Sequence, residues 1–174
     1  MDTPIYDFLK KYAESNTLRC HMPGHKGISP EKSVGDFYSL DITEISGADS
    51  LFEADGIILE SEQNMSALYD TAATFYSAGG STLCIQAMLA AAKFEGRTVI
   101  AVRNVHRAFL NACALLDIGV QWVMPEYTDG ILSGTIPLDA VEEKLRENTN
   151  SALYVTSPDY TGRTADIKAL AASL

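Results

Sequence analysis

The sequence is poor in cysteine and lacks long hydrophobic runs. Its three cysteines, Cys20, Cys84 and Cys113, are an odd number, and none belongs to a Cys-x-x-Cys pair. This predicts reduced thiols rather than a disulfide framework. No apolar run approaches the length of a membrane span, and charged residues near the start argue against a secretory signal. We therefore expect a cytoplasmic protein.

Basic charge is also scarce. The 174 residues contain 13 Lys and Arg against 23 Asp and Glu, a net charge of −10. Nucleic acids and anionic membranes would find no basic face on such a chain, so we expect neither as a partner. Cationic small molecules are compatible with this charge, although most surface charge is only solvated.

Short apolar runs alternate with helical patterns through most of the chain. Four to six residues of apolar character, followed by a helix and a turn, predict parallel strands covered by helices on both faces. The expected helices are 3–15, 56–69, 83–94, 107–116, 138–146 and one from about 166, and the expected strands are 98–102, 120–124 and 152–156. A loop with Asp129 and Gly130 should precede the fifth helix.

Polar residues follow the expected strands at the edge where ligands gather in such folds. Gly79, Gly80, Ser81 and Thr82 precede a helix, where glycines admit a ligand and the first N–H groups attract phosphate. Alternatively, Ser81 or Thr82 only caps the helix. The spacing fits neither a Walker loop nor a dinucleotide-binding motif.

Two further loops share this edge. His106 follows the strand 98–102 and could stack on a ring or move a proton, or lie on the surface as many histidines do. Ser157 and Tyr160 follow the strand 152–156 and could hydrogen-bond a ligand, although this segment taken by itself is better explained as an ordinary Pro-Gly turn.

The segment 21–27, His-Met-Pro-Gly-His-Lys-Gly, is a shaped loop rather than a helix. It holds His21, His25 and Lys26 close together, which predicts part of a site. A metal centre is disfavoured, because Pro23 and Gly24 prevent a helical histidine pair and no cysteine or carboxylate stands at ligand spacing.

Five segments in this order and spacing resemble motifs of the pyridoxal-phosphate-dependent ornithine/lysine/arginine decarboxylase family. Residues 21–26 are similar to its His-x-Pro-Gly-His-Lys signature and 41–51 to its Asp-x-Thr-Glu segment. Residues 80–82 are similar to its phosphate-binding Gly-Ser-Thr. Residues 103–106 resemble its Arg-Asn-x-His, and 156–162 its Ser-Pro-Thr-Tyr segment.

The resemblance implies a type-I aminotransferase-like fold that binds pyridoxal 5′-phosphate. It implies an N-terminal helix and active-site loop in residues 1–35, and the first half of an incomplete three-layer large domain with a parallel sheet in 36–174. Cofactor-binding residues would be Gly80, Ser81, Thr82, His106, Ser157 and Tyr160. Lys, Arg or Orn would be the substrate, with a role in polyamine biosynthesis, and the protein would form a homodimer or higher oligomer.

The resemblance also has limits. At six positions this chain has a residue that differs from the family's usual one: Gly79, Cys84, Ile85, Arg107, Ala108 and Asp159. The aspartate facing the pyridine nitrogen and the lysine that bonds to the cofactor lie downstream in the family, so we expect no catalytic residue here and no activity from this stretch alone. The sequence stops at Leu174 inside an expected helix, so we expect a truncated chain. Two alternatives to a decarboxylase stay open: another type-I enzyme, or a truncated protein that regulates a decarboxylase.

Overall fold

The computed structural model describes residues 2–31, 37–127 and 134–174. The chain divides into two compact units, Met1–Tyr76 and Ser77–Leu174. The described part consists of seven helices and three strands: α1 Pro4–Glu14, α2 Phe37–Leu40, α3 Ile57–Tyr69, α4 Gly80–Phe94, β1 Thr98–Val102, α5 Arg107–Leu116, β2 Val120–Val123, α6 Leu138–Glu147, β3 Ser151–Tyr154 and α7 Ile167–Ala172.

The first unit is helical, and α1 packs against both α2 and α3. Pro4 lies in the first turn of α1, where its fixed φ is already helical and its missing N–H costs nothing. The helix ends at Glu14, and the hydroxyl of the C-cap residue Ser15 donates to the carbonyl of Tyr12 at 2.8 Å. The helix predicted over 3–15 is therefore confirmed to within one residue at each end.

The second unit is an α/β structure around a parallel sheet of three strands in the order β2-β1-β3. Val99 of β1 pairs with Val120 on one side and with Ala152 on the other. A central strand that carries Val, Ile and Ala without polar interruption is typical of a sheet covered on both faces. The coarse fold class predicted from the sequence is confirmed.

The two faces of β1 contribute to different cores. Val99 and Ala101 pack with α4 and α5 around Phe109, which has no exposed surface. Ile100 and Val102 pack with α6 and α7 around Val141 and Leu170. Complete burial of a side chain such as Phe109 contributes about 1.5–3 kcal/mol to the free energy of unfolding.

Several boundaries differ from the predicted ones. α4 begins at Gly80 instead of residue 83, so Ser81 and Thr82 lie inside its first turn. β3 ends at Tyr154 instead of residue 156, because its ladder with β1 stops at the pair Ala101–Tyr154. The predicted turn at Asp129 and Gly130 falls outside the described residues.

Candidate cofactor-binding edge of the sheet

The starts of α4 and α5 lie at one edge of the second unit. β1, β2 and β3 are parallel, so their carboxyl ends share an edge. Four residues connect the end of β1 at that edge to the start of α5. α4 packs beside α5 and ends just before β1 begins at the opposite edge. Both helices therefore direct their N-terminal N–H groups towards the carboxyl ends of the strands, as the sequence predicts.

The first turn of α4 is open to a ligand. Gly80 has φ +64 and open space where a Cβ would stand, while a Cβ on Gly79 would lie 2.7 Å from the Leu83 side chain. No side chain caps the helix, and the hydroxyls of Ser81 and Thr82 are exposed and make no hydrogen bond within the described residues. The alternative that Ser81 or Thr82 caps α4 is therefore wrong.

His106 has a defined orientation. It is the N-cap of α5, and its Nδ1 accepts the backbone N–H of Ala108 at 3.1 Å. In the neutral ring the proton is therefore on Nε2. The residue is exposed, so a face of the imidazole is accessible to a planar ligand while the cap holds the ring in place. The preceding Arg103 lies over the Trp122 ring, with its Cζ 5.6 Å from the ring centroid.

The loop after β3 is held by Asp159, whose role the sequence reasoning missed. Oδ1 of this buried residue accepts the backbone N–H groups of Thr161 and Arg163 at 2.9 Å and the Thr161 hydroxyl at 2.8 Å. Asp followed by Thr two residues later is an Asx-turn pattern, so a signal was present in the sequence. Ser157 accepts the N–H of Ala165 at 3.0 Å through its hydroxyl, and Tyr160 is fully exposed.

The loop 21–27 lies in the first unit, and both of its histidines use both ring nitrogens. Nδ1 of His25 accepts the N–H of Gly27 at 2.9 Å, and Nε2 lies 3.0 Å from Oδ2 of Asp41. Nδ1 of His21 donates to the carbonyl of Met22 at 2.7 Å, while its Nε2 lies 3.1 Å from the Tyr12 hydroxyl. These bonds fix the shape of the loop.

Lys26 is the exposed cation of this loop. Its φ of 58° lies in the left-handed region, which non-glycine residues seldom adopt. Gly27 follows with φ +75, and these two residues together reverse the chain. The ammonium therefore stands at the outside of a loop whose histidines are committed to internal hydrogen bonds.

Arg19 and Asp49 organise the first unit. Asp49 lies in the segment 41–51 that resembles a family motif, whereas no signal in the sequence pointed to Arg19. The buried Arg19 guanidinium donates to the carbonyl of Ser39 at 2.7 Å and lies over the Tyr12 ring, 4.8 Å from its centroid. Asp49 accepts the N–H groups of residues 50, 55, 56 and 58 at 2.8–3.0 Å. These hydrogen bonds, led by that from Asp55, hold the pKa of Asp49 well below its usual range.

The donors at the start of α4 suit a phosphate, and the His106 ring suits an aromatic system. Pyridoxal phosphate, which the resemblance implies, carries both groups. Unpartnered first-turn N–H groups and hydroxyls are the donors that bind phosphate at helix N-termini.

In the described part of the chain, no cluster of three His, Cys, Asp or Glu residues could hold a metal ion. No described helix is long and apolar enough to cross a bilayer.

Comparison with known proteins supports the family resemblance that these motifs indicate. The chain is 30% identical over 174 residues to the "Uncharacterized protein YaaO" of Bacillus subtilis (strain 168), and 30% identical over 177 residues to an arginine decarboxylase of the same organism. An arginine decarboxylase of Halalkalibacterium halodurans is also 30% identical, over 175 residues.

The alignments cover nearly all of this chain but a limited part of each relative. They span 96%, 97% and 95% of the chain, and 36%, 36% and 35% of the respective relatives. The chain thus spans about a third of the length of the curated relatives that it matches. A family model described as "Orn/Lys/Arg decarboxylase, major domain" matches residues 3–174, and the chain therefore belongs to this decarboxylase family.

Proposed function

We propose that this chain forms the cofactor-binding part of a pyridoxal-phosphate-dependent decarboxylase of basic amino acids. The observation that carries the proposal is the start of α4, where Gly80, Ser81 and Thr82 offer backbone and hydroxyl donors that no described residue uses. When bound, the cofactor would draw electrons from the substrate carbon that loses CO₂.

Each residue of the edge has its own part in the proposal. The hydroxyls of Ser81 and Thr82, with the first N–H groups of α4, would hold the phosphate through charge-assisted hydrogen bonds. His106 would place its ring against the pyridine ring, with its orientation maintained by the bond to Ala108. Ser157 and Tyr160 would contact the cofactor from the loop after β3, and Ser157 retains a hydroxyl proton to donate.

Arginine is the substrate that we favour among arginine, lysine and ornithine. Two of the relatives described above are named arginine decarboxylase. The net charge of −10 is compatible with a cationic substrate. His21, His25 and Lys26 would shape the entrance to the site or a contact between subunits of a homo-oligomer, and we propose that the protein acts in the cytoplasm.

Catalysis would need residues beyond this chain. In the family that the chain belongs to, the lysine that bonds to the cofactor and the aspartate that faces its pyridine nitrogen follow the region matched by residues 156–162. The chain spans about a third of its relatives, which is consistent with this division. The stretch 1–174 would then bind the cofactor and release no CO₂ by itself.

Cofactor titration tests the phosphate site. We expect the double variant Ser81→Ala/Thr82→Val to bind pyridoxal phosphate at least about tenfold more weakly, because two hydrogen bonds to a charged group are lost. The matched control is Thr149→Val, which removes an exposed hydroxyl just before β3, at the opposite edge of the sheet. Equal affinity in all three proteins would exclude this site.

Measurement of CO₂ release from arginine, lysine and ornithine by the intact protein tests the reaction. Release from one of the three with bound cofactor supports the proposal and identifies the substrate. Cofactor binding without release from any of them would contradict decarboxylation of basic amino acids but leave the phosphate site valid.

A further inference from the structure

Helix α4 is apolar on nearly every side, although one side of it is open to solvent. Of its 15 residues only Lys93 is charged. Ile85, Leu89 and Ala92 point inwards and pack in the core that α4 shares with α5. A helix that is apolar all round is normally covered on all sides, so the outward side of α4 indicates a missing partner.

The outward side of α4 carries an apolar stripe, which consists of Leu83, Ala87, Ala90 and Phe94. These residues follow one another at spacings of four, three and four, which places them along one face of the helix. Leu83 is 48% exposed, Phe94 is 93% exposed, and Ala87 is exposed as well. No element in the described part of the chain therefore covers the α4 stripe.

The single cation of α4 is directed towards α5. Nζ of Lys93 donates to the carbonyls of Leu116 and Asp117 at the end of that helix. These carbonyls are among the groups that a helix end leaves unpaired. The α4 stripe itself carries no charge, so two molecules of net charge −10 could meet there without placing like charges in the contact.

The α4 stripe is self-complementary. Its large residues, Leu83 and Phe94, lie at its two ends, and its small residues, Ala87 and Ala90, lie between them. When a second α4 lies antiparallel across the stripe, Phe94 of each copy faces Leu83 of the other, and alanine faces alanine. A contact that repeats itself in this way about a twofold axis is isologous, as in most dimers. The spacing of the stripe is also that of the seam between two paired helices.

The exposed apolar area suits a contact between two copies. Together with the exposed residues beside it, Cys84, Met88 and Ala91, the stripe presents an area on the order of 600 Å². Two such faces would bury somewhat more than the roughly 1,000 Å² that a specific interface requires. The largest apolar patch on a monomer seldom exceeds about 600 Å² and often has a function.

We propose that two copies of this protein form a dimer through the α4 stripe, with the two helices antiparallel. Burial of Leu83 and Phe94 would stabilise the contact, and Ala87 and Ala90 would let the helices approach closely. The inference goes beyond the proposed function and does not rest on it. The contact uses apolar side chains of α4, whereas the proposed phosphate site uses N–H groups and hydroxyls of its first turn.

Sedimentation velocity of the intact protein, without added cofactor, tests the contact. We expect a dimer whose dissociation constant rises at least about tenfold in Ala87→Glu, because this change brings two carboxylates into an apolar contact. Ala171→Glu is the matched control. It adds the same charge to an exposed alanine of α7, which packs against the other face of the sheet, and should leave the dimer unchanged.

Phe94→Gln is a second test that does not disturb the core, because this side chain is almost fully exposed. It should also weaken the dimer about tenfold, while circular dichroism shows that each variant keeps its helical signal. A parent protein that stays monomeric would overturn the proposal and assign the α4 stripe to another segment or a different protein. A dimer as stable in Ala87→Glu and Phe94→Gln as in the parent protein would place the contact elsewhere and overturn it too.

A pair of opposite charges tests the antiparallel arrangement. Position 87 of one copy then faces position 90 of the other, so Ala87→Glu/Ala90→Lys should recover most of the affinity that Ala87→Glu loses. A double variant that dissociates as readily as Ala87→Glu would overturn the antiparallel pairing. Because the dimer is measured without cofactor, failure of the phosphate site would leave this result unchanged, and cofactor binding by a monomeric protein would overturn the dimer alone.

Discussion

His106 accepts the backbone N–H of Ala108 through Nδ1 at 3.1 Å, so the residue that we assign to the cofactor ring also caps the helix that follows it. The two roles depend on different parts of the imidazole. The cap uses one ring nitrogen, whereas stacking uses the ring face. Substitutions that retain one feature and remove the other can therefore separate them.

Replacement of His106 should separate capping from stacking. His106→Ala should lower the free energy of unfolding by about 0.5–2 kcal/mol, because α5 loses its N-cap. His106→Asn should restore most of this loss, since Asn is a strong N-cap, but should not restore cofactor affinity. Urea unfolding and cofactor titration of both variants provide the comparison. Cofactor affinity in His106→Asn equal to that of the parent protein would remove the ring from the proposed site.

The hydroxyls of Ser81 and Thr82 should matter for the ligand but not for folding. Because neither makes a hydrogen bond in the described structure, Ser81→Ala and Thr82→Val should each change the free energy of unfolding by less than about 0.5 kcal/mol. The measurement is urea unfolding without cofactor. A loss of about 1 kcal/mol or more would instead indicate a capping role.

Gly27 should be intolerant of a side chain. Gly27→Ala should cost about 1–2 kcal/mol from its φ of +75 alone, and more because the new Cβ would stand 2.5 Å from Nη1 of Arg19. Gly24→Ala is the matched control in the same loop, since no atom lies within 4 Å of its Cβ position. Thermal unfolding of both variants measures the difference, and similar losses in the two would show that Arg19 does not lie against Gly27.

Asp49 should make the stability of the first unit sensitive to acid. Its pKa is depressed in the folded state, chiefly by the N–H of Asp55, so the stabilisation is complete above the ordinary carboxyl pKa and declines as pH falls below it. Asp49→Asn should be less stable at neutral pH and should lose less stability between neutral and strongly acidic pH.

Circular dichroism during urea unfolding at several pH values measures this dependence. Asp55→Asn is a suitable control, because Asp55 supplies a backbone N–H to this network and its side chain is not the acceptor. An acid dependence as steep in Asp49→Asn as in the parent protein would place the responsible carboxylate elsewhere.

The alternation of apolar strands and helices was predictable because burial on both faces of a parallel sheet constrains every residue of a strand such as Thr98–Val102. Local signals also located Pro4 in the first turn of α1 and His106 at the start of α5. The start of α4 was predicted three residues too late. A glycine such as Gly80 is typical of a helix break, so the sequence predicts a later start. In the structure Gly80 is the first residue of the helix and has a positive φ.

The sequence by itself determined the α/β class, the order of the motifs and the edge of the sheet to which the loops after β1 and β3 belong, since each depends on period and spacing along the chain. Only the tertiary structure decided which polar groups have a hydrogen-bond partner. His25 pairs with Asp41, and Arg19 with the carbonyl of Ser39, whereas Ser81 has no hydrogen-bond partner among the described residues. Hydrogen-bond partners many residues apart are selected by packing, and no local pattern records that selection.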